Sequence, residues 1–153
     1  MHVIDDNIII HRLLEAYCGS FSREVCCFLS GEEYLVYLHS TGFQKPSIVL
    51  CDIRMPGING HKLVLEIRKQ LPFQKIVQMG SAADVDRDQL SENQICNMLD
   101  KPFRYREVIA VINALIACED AQKSEDVSEY LLMCEFGLNH TCPFHESKRL
   151  QLA

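Results

Sequence analysis

Residues 47–60 read SIVLCDIRMPGING, an apolar run that ends in one acid and is followed by a turn. The run at 48–51 is short and continuous, which is typical of a strand buried on both faces of a parallel sheet. Asp52 follows it, at the edge where open α/β sheets bind their ligands. The pairs Pro56-Gly57 and Asn59-Gly60 then predict a turn. Asp52 is therefore a candidate reactive acid at the mouth of this turn, although an acid at a strand end is more often a turn or cap residue.

Composition and charge bound the class of protein. The chain has 153 residues, of which 48% are hydrophobic and 24% are charged, so we expect one globular domain with a short appendage. The formal net charge of -6 and a pI near 5.5 argue against nonspecific binding to nucleic acid. The amino terminus lacks a signal-peptide pattern, and no apolar stretch is long enough to span a bilayer. The expected location is the cytoplasm, with neither nucleic acid nor membrane as a partner.

Eight cysteines would suggest a disulfide framework in a small secreted protein. Here Cys26, Cys27 and Cys51 lie inside apolar runs that predict strands, where a free cysteine behaves as a small hydrophobe. Because cytoplasmic proteins rarely keep disulfides, we expect these thiols to be free.

The chain up to residue 118 alternates between strand-like and helix-like segments. This alternation predicts a doubly wound, five-stranded parallel sheet with helices on both faces. The strand order considered for it is 2-1-3-4-5, the flavodoxin-like order of such sheets. Residues 83–93 carry few apolar anchors, so a helix there is expected to be thinly held and mobile. Besides the strand ending at Asp52, strands are predicted at 2–4, 24–28, 75–79 and 96–99. Helices are predicted at 10–19, 30–41, 60–70 and 105–118.

Charged side chains follow three of the predicted strands. Asp5 and Asp6 follow the first strand, Asp52 ends the third and Lys101 follows the fifth. In the order 2-1-3-4-5 the first and third strands are neighbours, so the three carboxylates can converge. Three clustered carboxylates are stable together only with a cation, and oxygen ligands with room for water suit magnesium. Lys101 adds a positive charge that can pair with a phosphoryl oxygen. The sequence thus predicts a site for phosphate and Mg²⁺ without a glycine-rich loop.

These motifs together resemble the receiver domain of two-component response regulators. The resemblance rests on the acidic pair Asp5-Asp6, on the segment VLCDIRMPG at 49–57 and on LDKPF at 99–103, all in the family's order. It covers about residues 1–118 and implies the flavodoxin-like α/β fold of that family. It also implies a cis peptide bond before Pro102, as the family usually has.

The resemblance assigns a role to each charged residue. Asp52 is expected to be the phosphoacceptor, attacking a phosphohistidine or a small phosphodonor to form an aspartyl phosphate. Asp6, Asp52 and the backbone carbonyl of Arg54 are expected to ligate Mg²⁺, while Asp5 acts largely through water. Lys101 is expected to bind a phosphoryl oxygen.

The chain departs from the family at the two positions that report phosphorylation. Receivers usually place a Thr or Ser directly after the fourth strand, and its hydroxyl moves toward the phosphoryl group. Here Gly80 takes that place and Ser81 stands beside it, where it could serve as the substitute if the backbone bulges inward. Receivers also tend to carry an aromatic residue three positions before the lysine, which here is Met98. The acceptor chemistry is expected to be intact, while its structural readout is altered.

The last predicted helix has more apolar surface than one sheet contact requires. Tyr105, Ile109 and Ile116 lie beyond its core stripe, so we interpret them as a face for protein partners, with a homodimer as one arrangement. The alternative is that the carboxyl-terminal tail covers this face. The core stripe itself is predicted to comprise Val108, Val111, Ile112 and Leu115.

Residues 119–153 are expected to form a polar linker, a short amphipathic helix at 127–134 and an irregular end. That helix is too short to be stable alone, and the segment lacks the length of a DNA-binding output domain. Its residues Cys134, His140, Cys142 and His145 invite a zinc site. Their spacing matches no standard zinc finger, so a buried Cys134 in a polar end is the preferred interpretation.

The sequence therefore predicts a single-domain response regulator that takes phosphate from a histidine kinase or a phosphotransfer protein and signals through protein partners. It is expected to catalyse only its own phosphorylation and a slow dephosphorylation. One alternative is a phosphorylation-independent binding module on the same fold, favoured by Gly80 and Met98. The other is a phosphohydrolase of the haloacid dehalogenase type, but such enzymes place a second Asp two residues after the nucleophile, where this chain has Arg54.

Overall fold

The computed structural model describes residues 1–19, 24–84 and 87–123. The predicted tail helix and the candidate zinc residues Cys134, His140, Cys142 and His145 lie outside these ranges. The strands are β1 (His2–Ile4), β2 (Cys26–Phe28), β3 (Ile48–Asp52), β4 (Lys75–Gly80) and β5 (Asn97–Asp100). The helices are α1 (Ile8–Gly19), α2 (Gly31–Leu38), α3 (Gly60–Gln70), α4 (Arg87–Glu92) and α5 (Tyr105–Lys123), with a 3-10 turn at Ala82–Asp84.

The five strands form one parallel sheet in the order β2-β1-β3-β4-β5. This confirms the predicted fold and topology. All five residues of β3 are buried, as expected for the central strand of a sheet covered on both faces. Across the ladder Asp52 pairs with Met79 of β4, so the acid stands next to the carboxyl end of β4. Within the described ranges, no helix is long and apolar enough to cross a membrane.

Two apolar clusters hold the helices on the sheet, one on each face. The first, the α1/α5 cluster, includes the predicted stripe of α5, and the second, the α2–α4 cluster, includes the fully buried Leu63, Val64 and Ile67 of α3. Cys51 is fully buried in the second cluster and its thiol is free, as are those of Cys26 and Cys27. Burial raises the pKa of the Cys51 thiol, which keeps it protonated and apolar.

Several boundaries differ from the predictions by one to five residues, including those of β2, β5 and α5. Strand β2 begins at Cys26 rather than at residue 24, because β1 has only three residues and its first, His2, pairs with Cys26. Strand β5 runs from Asn97 to Asp100 instead of 96–99. Helix α5 continues to Lys123, so the first five residues of the predicted linker are helical. Their sequence, EDAQK, contains no Gly or Pro and consists mostly of good helix formers.

The segment before β5 is held by two buried apolar side chains, those of Leu90 and Ile95, and by one arginine. Leu90 lies on the six-residue α4, and Ile95 lies between α4 and β5. The guanidinium of Arg68 on α3 donates hydrogen bonds to the carbonyl oxygens of Asn93 and Gln94, at 3.2 and 2.8 Å. Arg68 therefore fixes the chain just after α4, a contact that no sequence pattern indicated.

A buried histidine, His2 of β1, lies near the β2 edge of the sheet. The ring of His2 makes edge-on contacts with those of Phe28, Tyr34 and Tyr37, with centroids 5.5 to 5.7 Å apart. Its Nδ1 lies 3.3 Å from the Tyr34 hydroxyl. Burial is the main cause that lowers the pKa of His2 from 6.5 to about 4. The folded protein therefore holds His2 in its neutral form at physiological pH.

Acidification should destabilise the protein through His2. Between pH 6.5 and pH 4 the unfolded chain binds a proton at this residue that the folded chain does not, so stability falls as the pH falls through this window. The full loss is about 3 kcal/mol for a shift of this size. His2→Phe should remove this component, and urea unfolding at pH 7 and pH 4 measures it. An identical pH dependence in both proteins would contradict the assignment.

Candidate functional site

A lysine bridges two buried acids at the carboxyl end of the sheet. The Nζ of Lys101, directly after β5, donates to Asp5 Oδ2 at 2.6 Å and to Asp52 Oδ1 at 2.9 Å. Asp5 follows β1 and Asp52 ends β3, and these strands are neighbours in the sheet. The structure thus brings together the strand-end groups as the topology predicted. The peptide bond before Pro102 is cis, as expected.

Burial sets the electrostatics of this ion triad. The side chains of Asp5, Asp52 and Lys101 are 0%, 6% and 25% exposed. Burial raises the pKa of Asp52, and the charge of Asp5 adds to that effect, while hydrogen bonding and charge from Lys101 oppose it. For Lys101, burial acts to lower the pKa, but hydrogen bonds to Asp5 and Asp52 outweigh it and raise the pKa. Lys101 therefore stays cationic and compensates the two acids.

The acidic cluster has the donor set of a divalent-cation site. Asp5, Asp6 and Asp52 each offer one carboxylate oxygen, and these oxygens lie within 4.8 Å of one another. Asp6 is exposed, so the cluster opens to solvent on one side. Several oxygen donors with access to water fit a hard cation. The carbonyl of Arg54 as a further ligand stays a prediction.

Local capping positions Asp5. Its Oδ1 accepts a hydrogen bond from the backbone N–H of Asn7 at 2.9 Å, and its own N–H donates to the carbonyl of Phe28. The side chain of Asn7 in turn accepts from the N–H of Ile9 in the first turn of α1. One oxygen of Asp5 is thereby held by the backbone and the other is left for Lys101. Asn7 could have been identified from the sequence, because an Asn directly before an apolar helix is a helix-start pattern.

The turn after β3 is built from glycines and one distant acid. Gly57 has φ +74°, a conformation that favours glycine, and Asn59 caps α3 by accepting from the N–H of Lys62. Glu32 at the start of α2 accepts a hydrogen bond from the N–H of Ile58 at 2.8 Å. The predicted turn is confirmed. Glu32, which holds it, could not be identified from the sequence because it is 26 residues away.

Residues 1–113 match the sequence model of the response regulator receiver domain. The chain belongs to this family. The match places the receiver in two-component signalling and gives no support to the phosphohydrolase alternative.

Known proteins agree with this assignment. The receiver is 30% identical over 116 residues to the DNA-binding transcriptional regulator NtrC of Salmonella typhimurium, an alignment that covers 75% of this chain and 24% of NtrC. A crystal structure described as adenylate cyclase from Rhodopirellula baltica is 28% identical with a TM-score of 0.70, covering 86% of this chain and 94% of that one. The chemotaxis protein CheY4 of Vibrio cholerae, at 19% identity and TM-score 0.66, covers 74% and 95% and shares the fold.

The chain spans only about a quarter of the NtrC length, so the similarity concerns the receiver part of NtrC. What NtrC does through the rest of its length is therefore not carried over to this protein.

The receiver lacks a hydroxyl where Gly80 ends β4, and an isoleucine fills the space. A Cβ added to Gly80 would lie 2.8 Å from Cδ1 of Ile53, which is closer than real Cβ contacts come. Ile53 is buried, and its backbone N–H donates to the carbonyl of Met79. The sequence indicated that the hydroxyl was missing but not which side chain replaces it.

The hydroxyl of Ser81 is bound elsewhere in this structure. Its Oγ donates to Oδ2 of Asp84 at 2.6 Å, and its backbone N–H donates to the same oxygen at 2.9 Å. The other oxygen of Asp84 pairs with the guanidinium of Arg54. In this structure Ser81 therefore binds Asp84 of the 3-10 turn, a role that the sequence analysis did not predict.

The remaining predicted residues are placed by their packing. Met98 is partly buried and contacts the α2–α4 cluster. The ring of Tyr105 packs edge-on against Tyr17 of α1, with centroids 5.1 Å apart, and Tyr105 remains 42% exposed. Ile109 is half-buried. Ile116 is also half-buried and packs against the α1/α5 cluster, because α5 contacts α1 as well as the sheet. The interaction face of these three residues stays a prediction.

Proposed function

We propose that this receiver accepts a phosphoryl group on Asp52 from a phosphohistidine of a histidine kinase or a phosphotransfer protein. The observation that carries the proposal is the bridge from Lys101 to the buried Asp5 and Asp52. A buried acid pair with one fixed cation, open to solvent at Asp6, can bind a divalent ion and a phosphoryl group together. Asp6, Asp52 and the carbonyl of Arg54, with Asp5 acting largely through water, would hold Mg²⁺, which would supply positive charge to the phosphoryl oxygens.

Each residue then has a defined task. An oxygen of the ionised Asp52 carboxylate forms a bond to phosphorus, while the bond from phosphorus to the donor nitrogen breaks. The donor leaves with the bonding electron pair as neutral imidazole, its other ring nitrogen being protonated. Lys101 has three N–H donors, so it can keep its hydrogen bond to Asp5 and turn another donor to a phosphoryl oxygen. No catalytic turnover of an external substrate is proposed.

The signal passes to protein partners. Phosphorylation adds a doubly charged group to a cluster of carboxylates and so biases the loops around it. The exposed edge of Tyr105 and the half-buried Ile109 and Ile116 are the candidates on α5 for contact with a partner or a second copy.

A phosphorylation-independent binding module is the second candidate. It is favoured by Gly80, whose missing side chain is replaced by Ile53, and by Ser81, whose hydroxyl is bound to Asp84. In such a module the acidic cluster would have no role as a phosphoacceptor, and partners would bind the unmodified surface.

Phosphorylation of matched variants separates these candidates. The wild type should show an aspartyl phosphate after acetyl phosphate and Mg²⁺, and should bind beryllofluoride at millimolar concentration or below. Asp52→Asn should do neither, because it removes the acceptor oxygen. Asp100→Asn, an exposed acid at the end of β5, should behave as the wild type does. Phosphate-affinity electrophoresis and NMR titration read the two results. If the wild type gives no signal, the binding-module candidate is favoured instead.

A further inference from the structure

A second carboxylate network joins the turn after β3 to the turn after β4. Asp84 lies at its centre with a side chain only 8% exposed. One of its oxygens accepts from both the hydroxyl and the backbone N–H of Ser81, and the other pairs with Arg54. Arg54 stands two residues after the acceptor and its side chain is 75% exposed. Asp84 therefore connects the turn after β3, called here the acceptor turn, to the hydroxyl of Ser81, the residue next to Gly80.

The hydroxyl of Ser81 can serve only one strong acceptor at a time. It carries a single proton, and at 2.6 Å that proton is committed to an ionic acceptor. The hydrogen bonds from Ser81 are also the leading cause that holds the pKa of Asp84 below its usual range. Gly80 offers no alternative hydroxyl, and Ile53 occupies the adjacent space. A phosphoryl group on Asp52 that needs a hydroxyl donor must therefore compete with Asp84.

We propose that Asp84 is a positioning residue that withholds the Ser81 hydroxyl from the acceptor site until a phosphoryl group on Asp52 draws it away. This inference rests on the proposed phosphorylation of Asp52. Arg54 anchors Asp84 to the acceptor turn, so the two turns are tied together in the unmodified protein. An open groove of about 630 Å³, lined by Ile53, Arg54, Ala83 and Asp84 among others, leaves room for the second turn to move.

Release of Ser81 has a structural consequence at α4. The 3-10 turn at Ala82–Asp84 would lose the hydrogen bond that the hydroxyl of Ser81, directly before the turn, donates to Asp84. Helix α4 begins three positions after Asp84, at Arg87, and Leu90 on it is buried. The readout is thus displaced from the usual hydroxyl position to the network of Ser81, Asp84 and Arg54.

A double-mutant cycle on beryllofluoride affinity tests this inference. The proteins are the wild type, Asp84→Ala, Ser81→Ala and the double variant, each titrated with beryllofluoride in excess Mg²⁺. Asp84→Ala frees the hydroxyl and should bind about tenfold more tightly, since hydrogen bonds to charged groups have this magnitude. The same change in the Ser81→Ala background should give no gain. Glu92→Ala, an exposed acid on α4, is the control and should leave the affinity unchanged.

The outcomes separate the two proposals. If the wild type binds but Asp84→Ala gains nothing, or gains equally without Ser81, the positioning role is overturned while the phosphoacceptor function stands. If Asp84→Ala binds and the wild type does not, the withholding by Asp84 is supported, but the wild type then fails the test of the phosphoacceptor function. If no variant binds, the phosphoacceptor function fails and the inference fails with it. Should Asp84→Ala not fold, Asp84→Asn keeps the shape and should give a gain of about threefold that again requires Ser81.

Discussion

Lys101→Met should lower the free energy of unfolding by about 3 kcal/mol at pH 7 without divalent cations, because it leaves two buried carboxylates without their cation. The side chains of Asp5 and Asp52 are 0% and 6% exposed, and Lys101 is the cation that bridges them. Methionine fills a similar volume, so the loss reports charge more than packing. Chemical denaturation in the presence of a chelator measures it.

The loss should shrink as the pH falls. Burial already raises the pKa of Asp52 in the native protein, and Lys101 is the group that opposes this effect. Without Lys101 the folded state binds a proton at Asp52 more readily than the wild type does, so the stability difference between the variant and the wild type shrinks as the pH falls, while the loss through His2 is common to both. Mg²⁺ should also restore stability if the acidic cluster binds it.

Lys69→Met is the matched control for this charge change. Lys69 is 68% exposed and pairs with the exposed Glu66 on α3, a contact worth little. Its removal should change stability by less than about 0.5 kcal/mol. If Lys101→Met is as stable as Lys69→Met at pH 7, the buried pairs around Lys101 contribute nothing and the description of the triad is wrong.

Gly60→Ala should destabilise the protein by about 3 kcal/mol. A Cβ at this position would lie well inside van der Waals contact with the carbonyl oxygen of Asp52, 2.9 Å from Cα of Ile53 and 3.0 Å from the carbonyl carbon of Asp52. All three atoms are backbone, so no side-chain rotation relieves the overlap. Gly60 also donates its N–H to the carbonyl of Ile53. The substitution should therefore also displace the carboxyl end of β3, where Asp52 lies.

Gly19→Ala is the corresponding control. Gly19 ends α1, and an added Cβ would meet no atom within 4 Å. This substitution should be neutral or stabilise the protein by up to about 1 kcal/mol, because it reduces the freedom of the unfolded chain. Thermal unfolding of both variants compares them directly. Equal midpoints for Gly60→Ala and Gly19→Ala would show that the turn after β3 can relax around an extra methyl group.

The sequence pattern was enough to predict the strands of the sheet and the convergence of Asp5 and Asp52 at its edge. Apolar runs with turn signals between them identify the strands, and the order of a doubly wound sheet puts Asp5 and Asp52 on neighbouring strands. The apolar stripe of α3 at Leu63, Val64 and Ile67 was equally visible, because a 3.6-residue period repeats within one helix.

Contacts made by polar side chains far apart in the sequence could not be predicted. Glu32 bonds to Ile58, and Arg68 bonds to Gln94, each across 26 positions. Such bonds depend on which loops the fold brings together and leave no period in the sequence. The partnership of Ser81 with Asp84 is different, since an acid three residues after a serine is a capping pattern that could have been recognised.

The close packing of Ile53 on Gly80 also makes the receiver hard to convert into an ordinary one. The side chain of Ile53 fills the space that a side chain at position 80 would need. A residue with a hydroxyl at 80 therefore requires a smaller or differently oriented side chain at 53. The closest atom, Cδ1, is the far end of the Ile53 side chain, so a change in the Ile53 rotamer would have to accompany any side chain placed at 80. Gly80 and Ile53 therefore form one packing unit, and the conformation of Ile53 decides whether a hydroxyl can be accommodated beside Asp52.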